Sequence, residues 1–451
     1  MSTKNSNKTQ QTYGLFTMIT MIVGIVIGAG IYFRTADIIR YANGNLMIGM
    51  LVLALGSLCI VFGSLALAEL ARRHVGAGGV IAYFDRFVSR KMAAGFGWFQ
   101  MMVWFPTIAV VVGWAAAMYT FMLLGIKAPF WQEVLLGLVY NAWFAFMNYF
   151  SRKLGGLMQQ VSTLIKMIPL LLIAVYGVFF TPVSQGVVQS VHAFPAEFSK
   201  FGWLTALLPL AFSYDGWTIS LSIANEVENP KKNMVRALVI GPLIILSVYL
   251  LYFYGMFNMM GSEQLLALGD QAIFVVMQQF FGPKMAQIML LIVVISMMGV
   301  LNGVNLSFIR IPQALAEQDM LPDYGFSKLN PNTQTSLYST FFVLGLEAFW
   351  SLAHFIVMTF NLFNGRDVSE ISIVLCYLSY VILYVVVYRI YLQERQYQKL
   401  IIPVLATAGS LMILIGSLLA GPFYVTLFLV ICSTVIVAGY RYYEYQTLKN
   451  I

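Results

Sequence analysis

"GIVIGAGIY", residues 24–32, lies inside an apolar run long enough to cross a membrane, and its glycines decide how that run folds. Each glycine costs about 1 kcal/mol relative to alanine in a helix interior, yet Gly24, Gly28 and Gly30 follow closely on one another. Three explanations compete: close packing against a neighbouring helix, a loop that binds nucleotide phosphates, or a break in the helix. The phosphate loop is disfavoured, because the stretch lacks the Lys-Ser/Thr pair of such loops and follows no strand.

The composition places the whole chain in a membrane. Of 451 residues, 60% are hydrophobic and 10% are charged, whereas soluble domains carry about 25% charged residues. Its apolar stretches have the length of about 20 residues that a bilayer core requires, and none alternates like the strands of a membrane barrel. The sequence predicts an all-α polytopic membrane protein with twelve transmembrane helices, at 14–40, 45–71, 92–124, 131–150, 155–181, 203–224, 235–260, 284–315, 337–358, 367–391, 400–420 and 423–443.

The basic residues predict the orientation. With a cytoplasmic N-terminus, most Lys and Arg residues fall at cytoplasmic span ends, as the positive-inside rule requires. Both termini are then expected in the cytoplasm, with the polar residues 1–13 as a tail rather than a signal peptide. The net charge of +8 follows from this bias, so no nucleic-acid partner is expected. Cys59, Cys376 and Cys432 lie inside spans, so no disulfide-linked subunit is expected.

A second interrupted span matches the first. "IGAGI" (27–31) lies near the middle of span 1 and "FSYDGW" (212–217) near the middle of span 6, each in the first span of a five-span block. Such paired interruptions predict an inverted-repeat transporter with a substrate site at the bilayer midplane. Freed amides attract a carboxylate and freed carbonyls accept from an ammonium group, so a zwitterionic amino acid matches both breaks. Packing stays the alternative for Gly24, which forms a small-xxx-small pattern with Gly28.

Ionisable residues at membrane depth are expected to have a specific role, because a charge at the bilayer centre costs at least about 2.5–3.5 kcal/mol. Lys166 lies in the middle of span 5. Its ammonium is predicted to replace a sodium ion and hold the half-helix of span 1 by its exposed carbonyls, or to serve as a proton site; snorkelling is the alternative. Asp215 is predicted to cap the broken helix or to bond the backbone of the site. Glu69 and Arg310, near cytoplasmic span ends, either gate the inner side or anchor at the interface.

No chemistry beyond binding is indicated. The three histidines are dispersed along the chain, whereas a metal site needs a clustered set of ligands, so neither a metal nor another cofactor is expected. Paired carboxylates and a Ser/His dyad at a common depth are also lacking, and the protein is not expected to be an enzyme.

Five motifs in order carry a resemblance to a known family. They are "GIVIGAGIY", "GAGGVIAYFDR" after span 2, "KMIP" in span 5, "FSYDGWTISLSIANEVENPKKN" through span 6 and "LNGVNLSFIRIPQALAEQDMLP" (301–322) through span 8. Together they resemble the amino acid–polyamine–organocation superfamily, and within it the L-amino-acid transporter family near the bacterial serine/threonine exchangers. The resemblance implies a LeuT-type fold with helices 1 and 6 broken, inverted five-helix repeats at 14–181 and 203–391, and two further helices at 400–443.

The resemblance also implies roles for residues. The substrate carboxylate would meet the amides of the span 1 glycine motif, the amino group would meet carbonyls of both breaks, and Phe212 would close over the substrate. The expected substrate-binding set is Ile27, Gly28, Ala29, Gly30, Ile31, Phe212, Ser213, Tyr214 and Asp215. Lys166 matches a lysine that takes the place of a sodium ion in many members, with Asn302 and Ser307 as candidate partners in span 8.

Two departures from the family pattern stand out. Ala29 occupies a position where the family usually places a serine, which removes a hydroxyl from the carboxylate site. "ANEVENP" has Asn225 before Glu226, where two consecutive acids are usual, and this concerns the inner gate, for which Glu69, Glu226 and Arg310 are candidates.

The sequence therefore predicts a sodium-independent exchanger of neutral L-amino acids, of the Ser/Thr/Ala kind, that works by alternating access. A proton-coupled amino-acid symporter, a polyamine or cationic amino-acid antiporter and a non-transporting amino-acid sensor are the alternatives. Animal members pair with a heavy chain through an outer-loop cysteine, which this sequence lacks. The resemblance therefore implies a stand-alone monomer or weak dimer in a bacterial inner membrane.

Overall fold

The computed structural model describes residues 12–28, 30–199, 202–363, 367–420 and 422–449. Within these ranges every regular element is a helix, and the β pairing is limited to two isolated bridges, Tyr13 with Val227 and Leu329 with Ser336. Helices satisfy their own backbone groups, which is what a hydrocarbon environment demands. The prediction of an all-α protein is confirmed for the described residues.

The helices follow one another along the chain with short connections. The first ten α-helices are α1 (Leu15–Val26), α2 (Gly30–Tyr41), α3 (Leu46–Arg73), α4 (Val80–Phe87), α5 (Arg90–Phe99), α6 (Phe105–Leu123), α7 (Phe130–Phe150), α8 (Arg152–Val175), α9 (Gln185–Phe198) and α10 (Leu207–Tyr214). The others are α11 (Pro230–Leu268), α12 (Ala272–Phe281), α13 (Met285–Phe308), α14 (Ile311–Glu317), α15 (Leu337–Thr359), α16 (Glu370–Gln393), α17 (Ile401–Ala420) and α18 (Pro422–Lys449). Four 3₁₀-helices (Gly202–Ala206, Ile219–Glu226, Gly269–Gln271, Tyr397–Leu400) and two π-helical turns (Gln100–Trp104, Tyr176–Phe180) complete the described elements.

Nine helices of the described ranges are long and apolar enough to cross a membrane. They are Leu46–Arg73, Arg90–Leu123, Arg152–Phe180, Pro230–Leu268, Met285–Glu317, Leu337–Thr359, Ser372–Gln393, Tyr397–Leu419 and Phe423–Lys449. Of the other predicted spans, the fourth is the 21-residue α7, and the first and sixth are each divided by a break. The polytopic membrane protein is therefore confirmed, whereas the count of twelve spans and the five-plus-five repeat stay predictions.

Polar side chains mark where several of these helices begin. The side-chain oxygens of Asn45, Ser89, Ser151 and Ser336 accept hydrogen bonds from backbone amides in the first turns of α3, α5, α8 and α15. Such caps satisfy amides that have no partner inside their own helix. The starts of these helices are thus set by local chemistry, and their length by the apolar run that follows.

The burial of the helices separates the centre of the molecule from its lipid-facing edge. In Arg90–Leu123 and Met285–Glu317, 78% and 72% of the most apolar window is buried, against 28% in Leu337–Thr359 and in Phe423–Lys449. Hence α6 and α13 lie at the centre, and α15 and α18 at the periphery. The π-helical turn Gln100–Trp104 joins α5 to α6, and such turns often occur at functional sites.

Candidate functional site

The first break separates α1 from α2. The α-helix ends at Val26, Ile27 has a non-helical ψ of 80°, and α2 begins at Gly30; Ala29 lies outside the described residues. The amide of Gly28 donates to the carbonyl of Val26 at 2.8 Å, not to Gly24 as in a continuous α-helix. The break therefore frees the carbonyl of Gly24, and it leaves the first amides of α2, beginning with Gly30, without partners in their own helix.

The second break follows α10. Residues 215–218 form turns between α10 and the 3₁₀-helix Ile219–Glu226. Gly216 has φ +95°, and a Cβ there would lie 2.6 Å from Cγ2 of Ile25 in α1. Only glycine fits this position without strain, because both the backbone conformation and the space exclude a side chain.

The two breaks lie against each other. A Cβ on Gly30 would lie 3.1 Å from the hydroxyl of Ser213. The hydroxyl of Tyr249 lies 2.7 Å from the carbonyl oxygen of Ser213 and 3.2 Å from that of Val26. One tyrosine hydroxyl thus lies between carbonyls of both broken helices, and its single proton is donated to one of them at a time.

The glycines of the opening stretch have different functions. A Cβ on Gly24 would lie 2.0 Å from Oγ1 of Thr163 and 2.6 Å from Nε2 of Gln159. Gly24 therefore permits close packing against α8, as the packing explanation predicts. Gly28 and Gly30 flank the break itself.

Lys166 sits beneath the first break. Its ammonium is fully buried and lies 2.6 Å from the carbonyl oxygen of Gly24, 2.9 Å from that of Ile27 and 3.5 Å from that of Ser296 in α13. An ammonium group has three donors, and three carbonyls surround it. The depth of Lys166 excludes snorkelling.

The structure corrects the expected partners of Lys166 in span 8. Within the described chain, Asn302 donates to the carbonyl of Gly155 at 2.8 Å, and Ser307 donates to the carbonyl of Ile219 at 3.2 Å. The contact from span 8 comes from the Ser296 backbone. A buried cation can take any backbone carbonyl, so the polar side chains of the span did not identify its partner.

Asp215 lies at the second break. The indole Nε1 of Trp104 donates to Oδ2 of Asp215 at 3.2 Å, and Trp104 belongs to the π-helical turn. The neighbouring carbonyl of Tyr214 accepts from the hydroxyl of Tyr377 at 3.1 Å. Asp215 thus bonds a side chain of a neighbouring helix, and a tyrosine satisfies the end of α10.

A cavity of about 720 Å³ joins the two breaks. Its inner lining includes Gly28, Gly30, Ser213, Asp215 and Gly216. Its walls are mostly aliphatic, with Trp114 and Tyr119 as aromatic residues among them; the aliphatic part and a methionine are Ile25, Val26, Ile108, Val111, Val112, Ile219, Met297 and Val300. Towards the far end of α2 the lining becomes more polar, with Asp37, Arg40, Gln271 and Asp367. The cavity therefore extends from the breaks to one face of the protein.

The expected substrate-binding residues divide into three groups. Gly28, Gly30, Ser213 and Asp215 line the cavity. The side chains of Ile27, Ile31 and Tyr214 are fully buried and are not among the described lining residues; the hydroxyl of Tyr214 donates to the carbonyl of Leu53 instead. The predictions for Ala29 and for the side chain of Phe212 lie outside the described residues.

A buried ion cluster lies at the opposite end of the broken helices. Arg310 donates to both carboxylate oxygens of Glu226, at 2.5 and 3.2 Å, and Arg152 lies 3.4 Å from the same carboxylate. The chain entering α1 covers this cluster: the amide of Thr12 donates to the carbonyl of Glu226, and the hydroxyl of Tyr13 donates to the carbonyl of Arg152. The cluster closes the end away from the cavity.

The structure does not bring Glu69 to this cluster. Glu69 accepts hydrogen bonds from Arg72 and Arg73 of its own helix, and the hydroxyl of Tyr391 lies 3.4 Å away. Of the three candidates for an inner gate, Glu226 and Arg310 thus contact each other in the described chain, whereas charges one turn apart on α3 satisfy Glu69 locally.

Sequence reasoning missed Arg152, Trp104 and Tyr249. Arg152 has the sequence context of an interfacial basic residue, and no local signal separates it from an exposed neighbour such as Lys153. The two aromatic residues belong to residue types that are common throughout this chain, so only the structure distinguishes them.

The chain matches known transporters over nearly its whole length. The model of the amino acid permease family matches residues 13–442. The serine/threonine exchanger SteT of Bacillus subtilis is 26% identical over 424 residues, which cover 92% of each chain. The b(0,+)-type amino acid transporter 1 of Mus musculus is 27% identical over 311 residues, 65% of this chain and 60% of that protein. The Asc-type amino acid transporter 1 of Mus musculus is 24% identical over 325 residues, 69% of this chain and 59% of that protein.

These matches confirm the resemblance that the five motifs indicated. The aligned regions span about three fifths of the two mouse proteins and almost all of the bacterial one. An amino-acid transporter embedded in a membrane agrees with the nine apolar helices of the described ranges and with the cavity between the breaks. The chain belongs to the amino acid permease family.

Proposed function

We propose that the protein is a sodium-independent exchanger of small neutral L-amino acids, such as serine, threonine and alanine. The observation that carries the proposal is the contact of the Lys166 ammonium with the carbonyls of Gly24 and Ile27. Carbonyl oxygens at a broken helix are also what coordinates a sodium ion in transporters of this architecture. A fixed ammonium in this place holds the break together without a co-transported cation.

The residues that line the cavity favour a neutral substrate. The amide of Gly30 at the start of α2 suits a carboxylate, and the carbonyls of Ile27 and Ser213, each with a second lone pair, suit an ammonium group. The surrounding walls are mostly aliphatic, and Asp215 is the one acid of the inner lining among the described residues. This favours a short uncharged side chain over a polyamine, and two similar proteins carry names that refer to serine/threonine exchange and Asc-type transport.

The closed and open ends support alternating access. The cavity extends from the breaks to the face that holds Arg40 and Gln271, and the ion pair of Glu226 and Arg310 closes the other end. In the proposed cycle this pair separates when the cavity closes. The twelve spans, the inverted repeats at 14–181 and 203–391, cytoplasmic termini and a bacterial cell membrane are parts of the same proposal.

The protein is proposed to act without a disulfide-linked heavy chain. Its three cysteines, Cys59, Cys376 and Cys432, are free and buried in α3, α16 and α18. A bridge to another chain needs an accessible thiol.

Proteoliposomes preloaded with unlabelled serine test the function. We expect uptake of labelled serine, threonine or alanine that requires internal substrate and is the same in sodium and potassium buffers. Uptake that tracks an imposed proton gradient without internal substrate would indicate a symporter instead. Tight binding without any flux would indicate a sensor.

The variant Lys166→Ala tests the mechanism in the same assay. Removing the ammonium leaves freed carbonyls without a donor, at about 1–3 kcal/mol for each unsatisfied group, so we expect exchange to fall at least about tenfold. Lys153→Ala is the matched control, because Lys153 is an exposed lysine of the same helix. Exchange that is unchanged in the Lys166 variant would remove this residue from the working site.

A further inference from the structure

The peripheral helix α15 carries a buried acid that the proposed exchange cycle does not use. Glu347 is the eleventh of its 23 residues, and its side chain is fully buried. Neither of its carboxylate oxygens has a hydrogen-bond partner among the described residues. Ser351 and His354 are also buried, at 5% and 0% exposure, although most of this helix faces outwards.

The helices packed against α15 offer no counter-charge, and the ammonium of Lys328 lies 5.6 Å from the ring of Tyr338, at the start of α15 and nine residues before Glu347. α15 packs against α7, α6 and α14, and none of these contains a lysine, arginine or histidine. Their titratable side chains are Tyr119 on α6, Glu133, Tyr140 and Tyr149 on α7, and Glu317 on α14. Glu133 accepts from the indole of Trp114 at 2.9 Å, and Tyr140 donates to Thr120 at 3.1 Å. Glu347 is thus without a cationic neighbour on the helices that cover it.

Glu347 cannot remain ionised in these surroundings. An unpaired charge at membrane depth costs several kcal/mol, and a buried acid without a cation partner is neutralised instead. The neutral form of a carboxyl group is the acid, which holds a proton. An ionisable residue inside a span is by default a candidate functional site.

A polar face leads from Glu347 to the substrate cavity. Residues at i, i+4 and i+7 share one face of a helix, so Glu347, Ser351 and His354 form a row of about 10 Å. The imidazole of His354 packs 5.0 Å, centroid to centroid, from the ring of Trp114, and Trp114 lines the cavity. Neither ring nitrogen of His354 has a hydrogen-bond partner among the described residues.

We propose that Glu347 is a proton-binding site that exchanges its proton with the cavity along Ser351 and His354. On release, the O–H bond of the acid breaks and the proton passes to water entering along this face. The imidazole of His354 takes up that proton as imidazolium and returns it to water in the cavity. On uptake the same steps run in reverse, and no other reactant is needed.

Proton binding at Glu347 also acts on the cavity wall. α15 packs against α6, whose residues Ile108, Val111 and Val112 line the cavity. Ionised Glu347 is driven towards water and displaces α15 from α6, so the exchange rate falls as pH rises. Regulation of exchange by pH is thereby added to the proposed function, whereas the proton site itself does not depend on it.

Infrared spectroscopy of the purified full-length protein tests the site directly. At neutral pH, the spectrum of the wild type minus that of E347Q should contain the carbonyl stretch of a protonated carboxylic acid, which shifts in D₂O. E263Q, which neutralises an exposed acid of α11, should leave the band in place. A difference spectrum without this band would overturn the proposal.

The role of His354 has its own readout. H354Q should slow the deuterium shift of the Glu347 band by about tenfold or more, since a positioned acid–base group accelerates proton transfer by about 10²–10⁴-fold. An unchanged rate would remove His354 from the route. If E347Q does not fold, E347M replaces the acid with an apolar side chain of similar volume, and absence of any carboxylic-acid band in the wild type refutes the site without a variant.

The pH dependence of exchange tests the proposed regulation. We expect the rate to fall with rising pH in the wild type and in E263Q, and to be independent of pH in E347Q. A pH profile retained in E347Q would refute the regulation. Failure of wild-type exchange at every pH would refute the proposed function and leave the infrared result intact.

Discussion

Replacing Gly216 with alanine tests the close approach of the two broken helices. Two costs add at this position. A non-glycine residue at positive φ costs about 1–3 kcal/mol, and Gly216 has φ +95°. The new Cβ would lie 2.6 Å from Cγ2 of Ile25, and overpacking of this kind costs about 1–3 kcal/mol. We expect the variant to lose about 2–6 kcal/mol of unfolding free energy.

Two other glycines separate these costs. Gly282 has φ +110°, and a Cβ added to it would meet no described atom within 4 Å, so Gly282→Ala measures the backbone cost alone. A Cβ on Gly303, inside α13, would lie 2.6 Å from Cγ1 of Ile25, with Oε1 of Gln159 next at 3.1 Å, so Gly303→Ala measures mainly an overlap with the same side chain, without the cost of positive φ. Each should lose about 1–3 kcal/mol, by the same reasoning.

The assay is chemical unfolding in detergent, with exchange measured in parallel. Gly216→Ala should be less stable than either control variant, and Ile25→Ala in the same chain should restore the packing part by relieving the overlap. Exchange should fall as well, because Gly216 and Ile25 both line the cavity. A Gly216→Ala protein no less stable than Gly282→Ala would refute the close approach.

Two further changes probe the breaks and the closed end. Tyr249→Phe leaves a buried carbonyl without its donor, at about 1–3 kcal/mol, so its thermal unfolding temperature should fall further than that of Tyr140→Phe, whose hydroxyl is only partly buried; equal shifts would contradict the bridging role. Glu226→Gln removes one partner of the buried pair with Arg310, which costs about 3–5 kcal/mol and should open that end more often. A cysteine introduced by S222C should then react faster with a membrane-impermeant thiol reagent, and an unchanged rate would mean that the pair is not a gate.

Span positions could be predicted from the sequence because they depend on local information. A transmembrane helix begins and ends where an apolar run of about 20 residues begins and ends, and both points are visible in the sequence. The predicted 337–358 and the observed Leu337–Thr359 therefore nearly coincide. The breaks could be found for a similar reason, since glycines at 28 and 30 and the Asp-Gly pair at 215–216 disfavour a continuous helix in the sequence itself.

Contacts made by the backbone could not be predicted in this way. Every residue type has a backbone carbonyl, so the sequence does not indicate that the carbonyl of Ser296 lies beside Lys166. The same holds for the Val26 and Ser213 carbonyls near Tyr249. Arg152 has the sequence context of an interfacial anchor, yet folding buries it beside Glu226.

Glu347 could have been predicted from the sequence, but it was not among the predicted site residues. The depth argument that singled out Lys166 applies equally to an acid in the middle of span 9, so the signal was present in the sequence. Its lack of a hydrogen-bond partner among the described residues depends on how α15 packs, and only the structure shows it.

The π-helical turn at Gln100–Trp104 makes the orientation of the cavity wall tolerant of a change in chain length. This turn accommodates one residue more than an α-helical turn, and each residue rotates a helix by about 100°. Deletion of a single residue inside the turn would therefore leave an ordinary α-helix, with Val111, Val112 and Trp114 still facing the cavity, whereas a deletion between the turn and Val111 would rotate them away from it. The turn is thus the place between α5 and α6 where the chain can lose one residue and still present the same cavity wall.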